Sequence, residues 1–231
     1  MPHPVVSPDQ WQAAHAALLK KEKEFTKLRD ALSRERRALP WEKVEKTYVF
    51  EGPNGAESLG DLFAGKSQLV VYHFMFNPAD DAGCPHCSFW VDHFDATMPH
   101  LRARDVSFVV ISRAPRAKLA AFQQRMGWKF KWLSSGNNSF SYDYRASFTP
   151  EDSTQPLYNV GTLVPGMQDR EGLSVFTQDP GGTIFRTYST YARGIDMING
   201  TCQILDLVPK GRDEDPEATQ DWVRHHDRYG S

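Results

Sequence analysis

Cys84 and Cys87 stand two residues apart around Pro85-His86, a spacing at which two thiols can close a disulfide, exchange it with another, or share a metal ion. They follow the apolar run Leu69 to Phe76 and precede Trp90, Phe94, Met98 and Leu101, which are spaced as one helix face. The pair therefore falls where a buried strand ends and a helix begins. There the unpaired N–H groups of a first helical turn point at a sulfur and lower its pKa. Pro85 suits that turn, where its missing N–H costs nothing. His86 can stabilise a thiolate on Cys84, the more exposed of the pair, and Cys87, one turn in, is the natural resolving thiol. Asp80 and Asp81 lie just upstream and work against the thiolate. Helix terminus and imidazole outweigh them, which predicts an acidic Cys84.

Two other readings of the pair stand beside dithiol redox: a structural zinc site and an inert pair. Zinc needs two further ligands, and His93 and His100 follow the cysteines on no finger spacing. The seven-residue spacing of His86, His93 and His100 puts them on one polar helix face rather than around an ion. His73, inside the apolar run, reads as a hydrogen-bonded core histidine rather than a base. Cys202 has no partner and reads as a small buried apolar residue. No Gly-rich phosphate loop follows a strand, so no nucleotide cofactor is expected, and with no further ligands on a finger spacing no metal is expected.

The 231 residues make room for one full-sized core with decoration, and 40% apolar with 24% charged residues is ordinary globular composition. A net charge of −2 gives no field toward nucleic acid or an anionic membrane, and the longest apolar run is far short of the ~20 residues that span a bilayer. The first residues lack the basic and apolar regions of an export signal, so the expected location is the cytoplasm, where three cysteines are too few for a disulfide scaffold.

Around the cysteines the chain alternates short strands and helices. Ser7-Pro8-Asp9-Gln10 has the form of a capping box, predicting a helix that runs to about Arg37 and stops before Pro40. Its apolar stripe, Trp11, Leu18, Phe25 and Leu32, predicts a packing arm, with a homodimer through this helix as the alternative. Then follow a strand at Val44 to Phe50, the turn Gly52 to Gly55, a helical turn at Ser58 to Phe63, and a central strand at Leu69 to Phe76. A strand at Val106 to Ile111, a helix at Lys118 to Met126 and a weaker strand at Trp132 to Ser135 repeat the strand–helix–strand unit, implying parallel pairing. Residues Asn137 to Arg170 show no periodicity. Leu173 to Phe176 and Thr183 to Tyr188 flank a hairpin turn, Met197 to Leu205 is amphipathic, and a charged tail carries a short helix around Ala218 to His225.

At Val71-Tyr72-His73-Phe74-Met75-Phe76 and Gly83-Cys84-Pro85-His86-Cys87-Ser88-Phe89-Trp90, the chain resembles an uncharacterised bacterial thioredoxin-like family related to the alkyl hydroperoxide reductase/thiol-specific antioxidant group. Asp92 to Asp95, Ser112 to Pro115, Tyr188 to Gly194 and Leu207 to Glu214 agree with it, covering roughly residues 40 to 226. The resemblance implies an α/β thioredoxin-like fold: a central mixed sheet flanked by helices, with the hairpin at Leu173 to Tyr188 as its antiparallel half. Pro85-His86 is also the dipeptide between the cysteines of the periplasmic disulfide oxidase DsbA, which implies a pair more oxidising than thioredoxin. Peroxiredoxins carry Thr or Ser three residues before their reactive cysteine, where this chain has Asp81, an acceptor that cannot donate to a peroxide. The residues before Leu173 are Arg170-Glu171-Gly172, without the proline thioredoxins place there; Arg170 can stand in for the arginine of peroxiredoxins.

The chain thus reads as an N-terminal helical arm (1–39), a thioredoxin-like domain (40–210) and a charged tail (211–231). The leading function is thiol–disulfide exchange with Cys84 as nucleophile, Cys87 resolving and His86 tuning the thiolate. Pro85, Trp90, Arg113 and Arg193 form the substrate rim, and the partner is a protein or small-molecule disulfide, or a peroxide. The alternatives are a peroxiredoxin-like peroxide reductase and a non-catalytic binding module whose aromatic surface at Phe89 and Trp90 holds a partner.

Overall fold

A computed structural model describes residues 3–149, 151–152 and 168–230, and the chain divides into two compact units, Met1–Pro40 and Trp41–Ser231. In the first, α1 (Pro8–Arg37) opens with the expected capping box: Gln10 N donates to Ser7 Oγ at 3.3 Å and Ser7 N donates to Gln10 Oε1 at 3.1 Å. No residue of α1 is buried, and Trp11, Phe25 and Leu28 are exposed. Among the described residues, no helix is long and apolar enough to cross a membrane.

The second unit is built on one mixed sheet of β1 (Glu42–Lys43), β2 (Val49–Gly52), β3 (Gly55–Ser58), β4 (Gln68–His73), β5 (Val106–Ser112), β6 (Lys131–Ser134), β7 (Gly172–Gln178) and β8 (Ile184–Tyr191). Their order across the sheet is β1-β8-β7-β4-β5-β6-β2-β3. β4, β5 and β6 are parallel, as the repeated strand–helix–strand unit requires, and β7 and β8 form the antiparallel half. β4 lies between β5 and β7 with both faces covered, which is why its sequence is apolar without alternation. Tyr72, Val110 and Trp132 face a cluster that includes Phe74, Trp90 and Phe122; Val71, Val109 and Leu133 face another built on Phe50, Phe140 and Phe176.

Several expected elements are reshaped. The strand at Val44 to Phe50 does not form as one piece, because β1 pairs with β8 at one edge of the sheet while β2 pairs with β6 near the other. Tyr48, just before β2, and Phe50 within it pack edge-on against Phe140, at 5.1 and 5.0 Å. Gly55, at φ +105°, makes the turn from β2 to β3, and the helical turn shrinks to Asp61–Phe63. The single helix after the cysteines is broken into α2 (Pro85–Val91), a 3-10 turn (Asp95–Thr97) and α3 (Met98–Ala103). Pro99 explains the break: in a continuous helix its ring would clash with the Asp95 carbonyl. His86, His93 and His100 therefore do not share a helix face. α4 (Arg116–Met126) ends at Gly127, φ +70°. Within the unplaced stretch, α5 (Phe140–Asp143) and a bridge between Ser147 and Asp169 are formed, and 150 and 153–167 lie outside the described residues. α6 (Gly200–Leu205) is capped by Asn199.

The helix expected at Ala218 to His225 is absent, because this segment is held by the core instead. Val223 is buried, Trp222 packs edge-on against Phe89 at 5.4 Å, and an imidazole nitrogen of His225 bonds the Gly83 carbonyl at 2.8 Å. Arg125 clasps Asp227 with two bonds of 2.8 Å.

Candidate active site

The cysteine pair is held by the chain reversal that follows β4. After His73 the ladder continues irregularly: Phe74 N donates to Ile111 O (2.9 Å) and Ala114 N to Phe76 O (2.8 Å). The chain then returns so that Cys84 N donates to Met75 O at 3.1 Å. Gly83 makes this return possible, since a Cβ there would meet the rings of Phe74 and Phe122 at 2.7 and 2.8 Å. Cys84 is the N-cap residue of α2 and Pro85 opens its first turn; Ser88 donates to the Cys84 carbonyl through both N (3.0 Å) and Oγ (2.9 Å).

Both thiols are free, Cys84 partly exposed and Cys87 buried. A hydrogen bond from Cys87 holds the Cys84 thiol well below its ordinary pKa, and His86 adds to this against the opposing effect of burial. His86 Nδ1 lies 3.9 Å from Cys84 Sγ, while Nε2 donates to the Gln220 carbonyl at 3.3 Å. The Cys84 thiolate raises the His86 pKa in return. Burial pushes the Cys87 thiol well up, although Met75 N donates to its sulfur at 3.4 Å. The neighbouring thiol is the leading cause of this shift, and His86 and the Cys87 backbone N–H, in the first turn of α2, act in the same direction. Asp81 is exposed.

Cys84, Pro85, His86, Cys87 and Trp90 come together as expected, and two clefts open around them. One, about 410 Å³, is lined by Met75, Asn77, Asp80, Cys84, Gln168 and Asp169. The other, about 260 Å³, lies beside His86 and Trp90 and includes Arg170, Glu171, Arg193, Asp196 and Gln220. Arg193 therefore stands at the rim. Arg113 does not: it lines neither cleft, because Asp169 takes its Nε at 2.8 Å and its guanidinium lies over the Tyr142 ring. Phe89 and Trp90 form no aromatic surface, since both are buried, the first beneath Trp222 and the second with Nε1 donating to Ile195 O at 3.1 Å.

Glu171 and Gln220 were not singled out from sequence. Burial raises the Glu171 carboxyl, and the Cys84 thiolate adds to the effect. An acid directly before an apolar strand was the available signal for Glu171; Gln220 contributes only a backbone carbonyl, which no side-chain pattern reveals. Cys202 is buried, and burial raises its thiol pKa. Among the described residues, no group of three or more His, Cys, Asp or Glu side chains is arranged to hold a metal.

A mixed sheet with parallel β4–β5–β6, an antiparallel β7–β8 half, and a Cys-Pro-His-Cys pair opening the helix after its central strand together define a thioredoxin-like fold. The chain belongs to the family described as "Bacterial protein of unknown function (DUF899)", which it matches over residues 1–229. No curated protein matches it. Solved structures that it resembles include peroxidoxin BcpB from Mycobacterium tuberculosis, 17% identical over 71% of this chain and 97% of that one, with a TM-score of 0.45. Peroxiredoxin Q of Xanthomonas campestris is 15% identical over 68% and 89%, TM-score 0.43. Thioredoxin peroxidase I of Plasmodium yoelii is 15% identical over 74% and 92%, TM-score 0.43.

Proposed function

We propose that the protein is a thiol–disulfide oxidoreductase with Cys84 as the attacking thiolate and Cys87 as the resolving thiol. The asymmetry of the pair carries this reading: one partly exposed thiol is strongly acidified and its buried neighbour holds its proton. Cys84 Sγ attacks a substrate disulfide, a mixed disulfide forms, and the first substrate thiolate leaves and takes a proton. Cys87 then loses its proton, attacks Cys84 Sγ and releases the second substrate thiol. Two electrons pass from the dithiol to the substrate, and an external dithiol restores the enzyme. His86 and Glu171, both electrostatically linked to the pair, are the groups beside it that can exchange the proton. Asp81, exposed and acceptor-only, favours a disulfide over a peroxide as the oxidant.

An acidic Cys84 stabilises the reduced form, so the pair is a stronger oxidant than thioredoxin, above about −270 mV. Equilibration in glutathione buffers, with thiols counted by alkylation and mass, tests this. The expected result is a reversible two-electron transition that Cys84→Ser abolishes. Thiols that stay reduced throughout, or a transition unchanged in Cys84→Ser, overturn the reading.

A further inference from the structure

We infer, building on the oxidoreductase reading, that the disulfide reduced here is a small molecule bearing a carboxylate, and that the cleft walled by Arg193 and Arg170 beside His86 seats that carboxylate. The two clefts that meet at Met75 differ in charge. The one that Cys84 itself lines carries Asp80 and Asp169, the latter paired with Arg113 at 2.8 Å, and no cation among the described residues that line it. The one beyond His86 carries two arginines.

The acids in the arginine cleft are already occupied. Asp196 receives two bonds from Arg212, at 3.0 and 2.8 Å, and Arg212 also binds Asp206 at 2.8 and 2.7 Å. Glu171 accepts from its own backbone N–H, and burial works against its charge. Arg193 makes only a long 3.9 Å pair with Asp196, and its side chain is 83% exposed. Arg170 acts electrostatically on Glu171, so the charge that faces a ligand on this side of the dithiol is that of Arg193.

Size and position agree. A cleft of about 260 Å³ lies just below the range that holds drug-sized ligands and accommodates an arm of amino-acid dimensions. His86 spans the gap, with Nδ1 toward Cys84 Sγ and its ring on the cleft wall. A disulfide whose sulfur meets Cys84 can lay one arm past His86 toward Arg193. The arm then leaves as a thiol when Cys87 closes the Cys84–Cys87 disulfide, with dithiothreitol as the reductant that restores the enzyme in the assay.

The reduced protein is mixed with three disulfides of similar size: anionic dithiodipropionate, neutral hydroxyethyl disulfide and cationic cystamine. Each rate is divided by that of the same disulfide with free dithiothreitol, which removes intrinsic reactivity. The corrected anionic-to-cationic ratio is expected to be about fivefold or more at low salt and to shrink toward one at 1 M salt, where charges are screened. Arg193→Glu is expected to invert the ratio and Arg193→Lys to keep it. A ratio near one in the wild type, or a ratio untouched by Arg193→Glu, overturns the anionic-substrate inference while leaving the oxidoreductase reading standing. A wild type inert toward all three, or Cys84→Ser as active as the wild type, overturns that reading and the inference with it.

Discussion

His73 closes β4 and His86 sits in the first turn of α2, one reversal later in the chain, yet their surroundings drive their protonation in opposite directions. His86 faces the Cys84 thiolate and opens onto a cleft, and its pKa rises. His73 is sealed in the sheet, bonded through Nε2 to Ser174 Oγ at 2.9 Å, with Ser174 3.1 Å from Ser189 Oγ, and burial lowers its pKa to about 3. One imidazole has a negative partner and access to water; the other has neutral hydroxyls and neither charge nor solvent. Residue type alone did not decide which histidine could do chemistry. A nearby anion and an open path did.

The largest effect that tests this contrast is acid lability. Between pH 6.5 and about 3 the unfolded chain binds a proton at His73 that the folded chain refuses, so stability present above pH 6.5 is lost as pH falls. At 1.36 kcal/mol per pH unit, the wild type should lose about 3 kcal/mol more than His73→Leu between pH 7 and pH 4, read by urea unfolding. Equal losses would mean that His73 is not held neutral. Next in size is Ser174→Ala, which leaves His73 Nε2 without its partner in a dry site, where Nδ1 already has none. It should cost about 1–3 kcal/mol at neutral pH, and an unchanged denaturation midpoint would show that the His73–Ser174 bond contributes nothing. Smallest is His86→Ala, which removes one of the two partners holding down the Cys84 pKa. Alkylation of Cys84 at pH 6 should slow by about a few-fold, with the fold intact by circular dichroism. A rate equal to wild type would assign the acidity to the Cys87 hydrogen bond alone.

Legibility in the sequence followed the range of the interactions. The capping box at Ser7, the strand at Val106, the hairpin around Pro180 and the strand–helix junction at Cys84 depend on neighbours within a few residues, and each stands close to where its pattern put it. The break at Pro99 was also local but was overridden in reading by the apolar spacing of Phe94, Met98 and Leu101. The strand at Val44 to Phe50 was read from local pattern, whereas the residues flanking it, Lys43 and Glu51, answer to partners at opposite sides of the sheet, Phe185 and Ser134. In the tail, charged residues masked Trp222 and Val223, which have no periodic company and find their apolar surroundings only after folding.

By itself the sequence determined that two thiols flank Pro85-His86 at the start of a helix, because spacing, proline and the preceding apolar run act through bonds and contacts of the nearest turn. Only the tertiary structure decided what surrounds them. Glu171, Arg193 and Gln220 gather beside His86 from the residue before β7, from the segment after β8 and from the tail. The charge and solvent access that set the chemistry of Cys84 and His86 are sums over groups far apart in the chain, and such sums exist only once folding has brought those groups together.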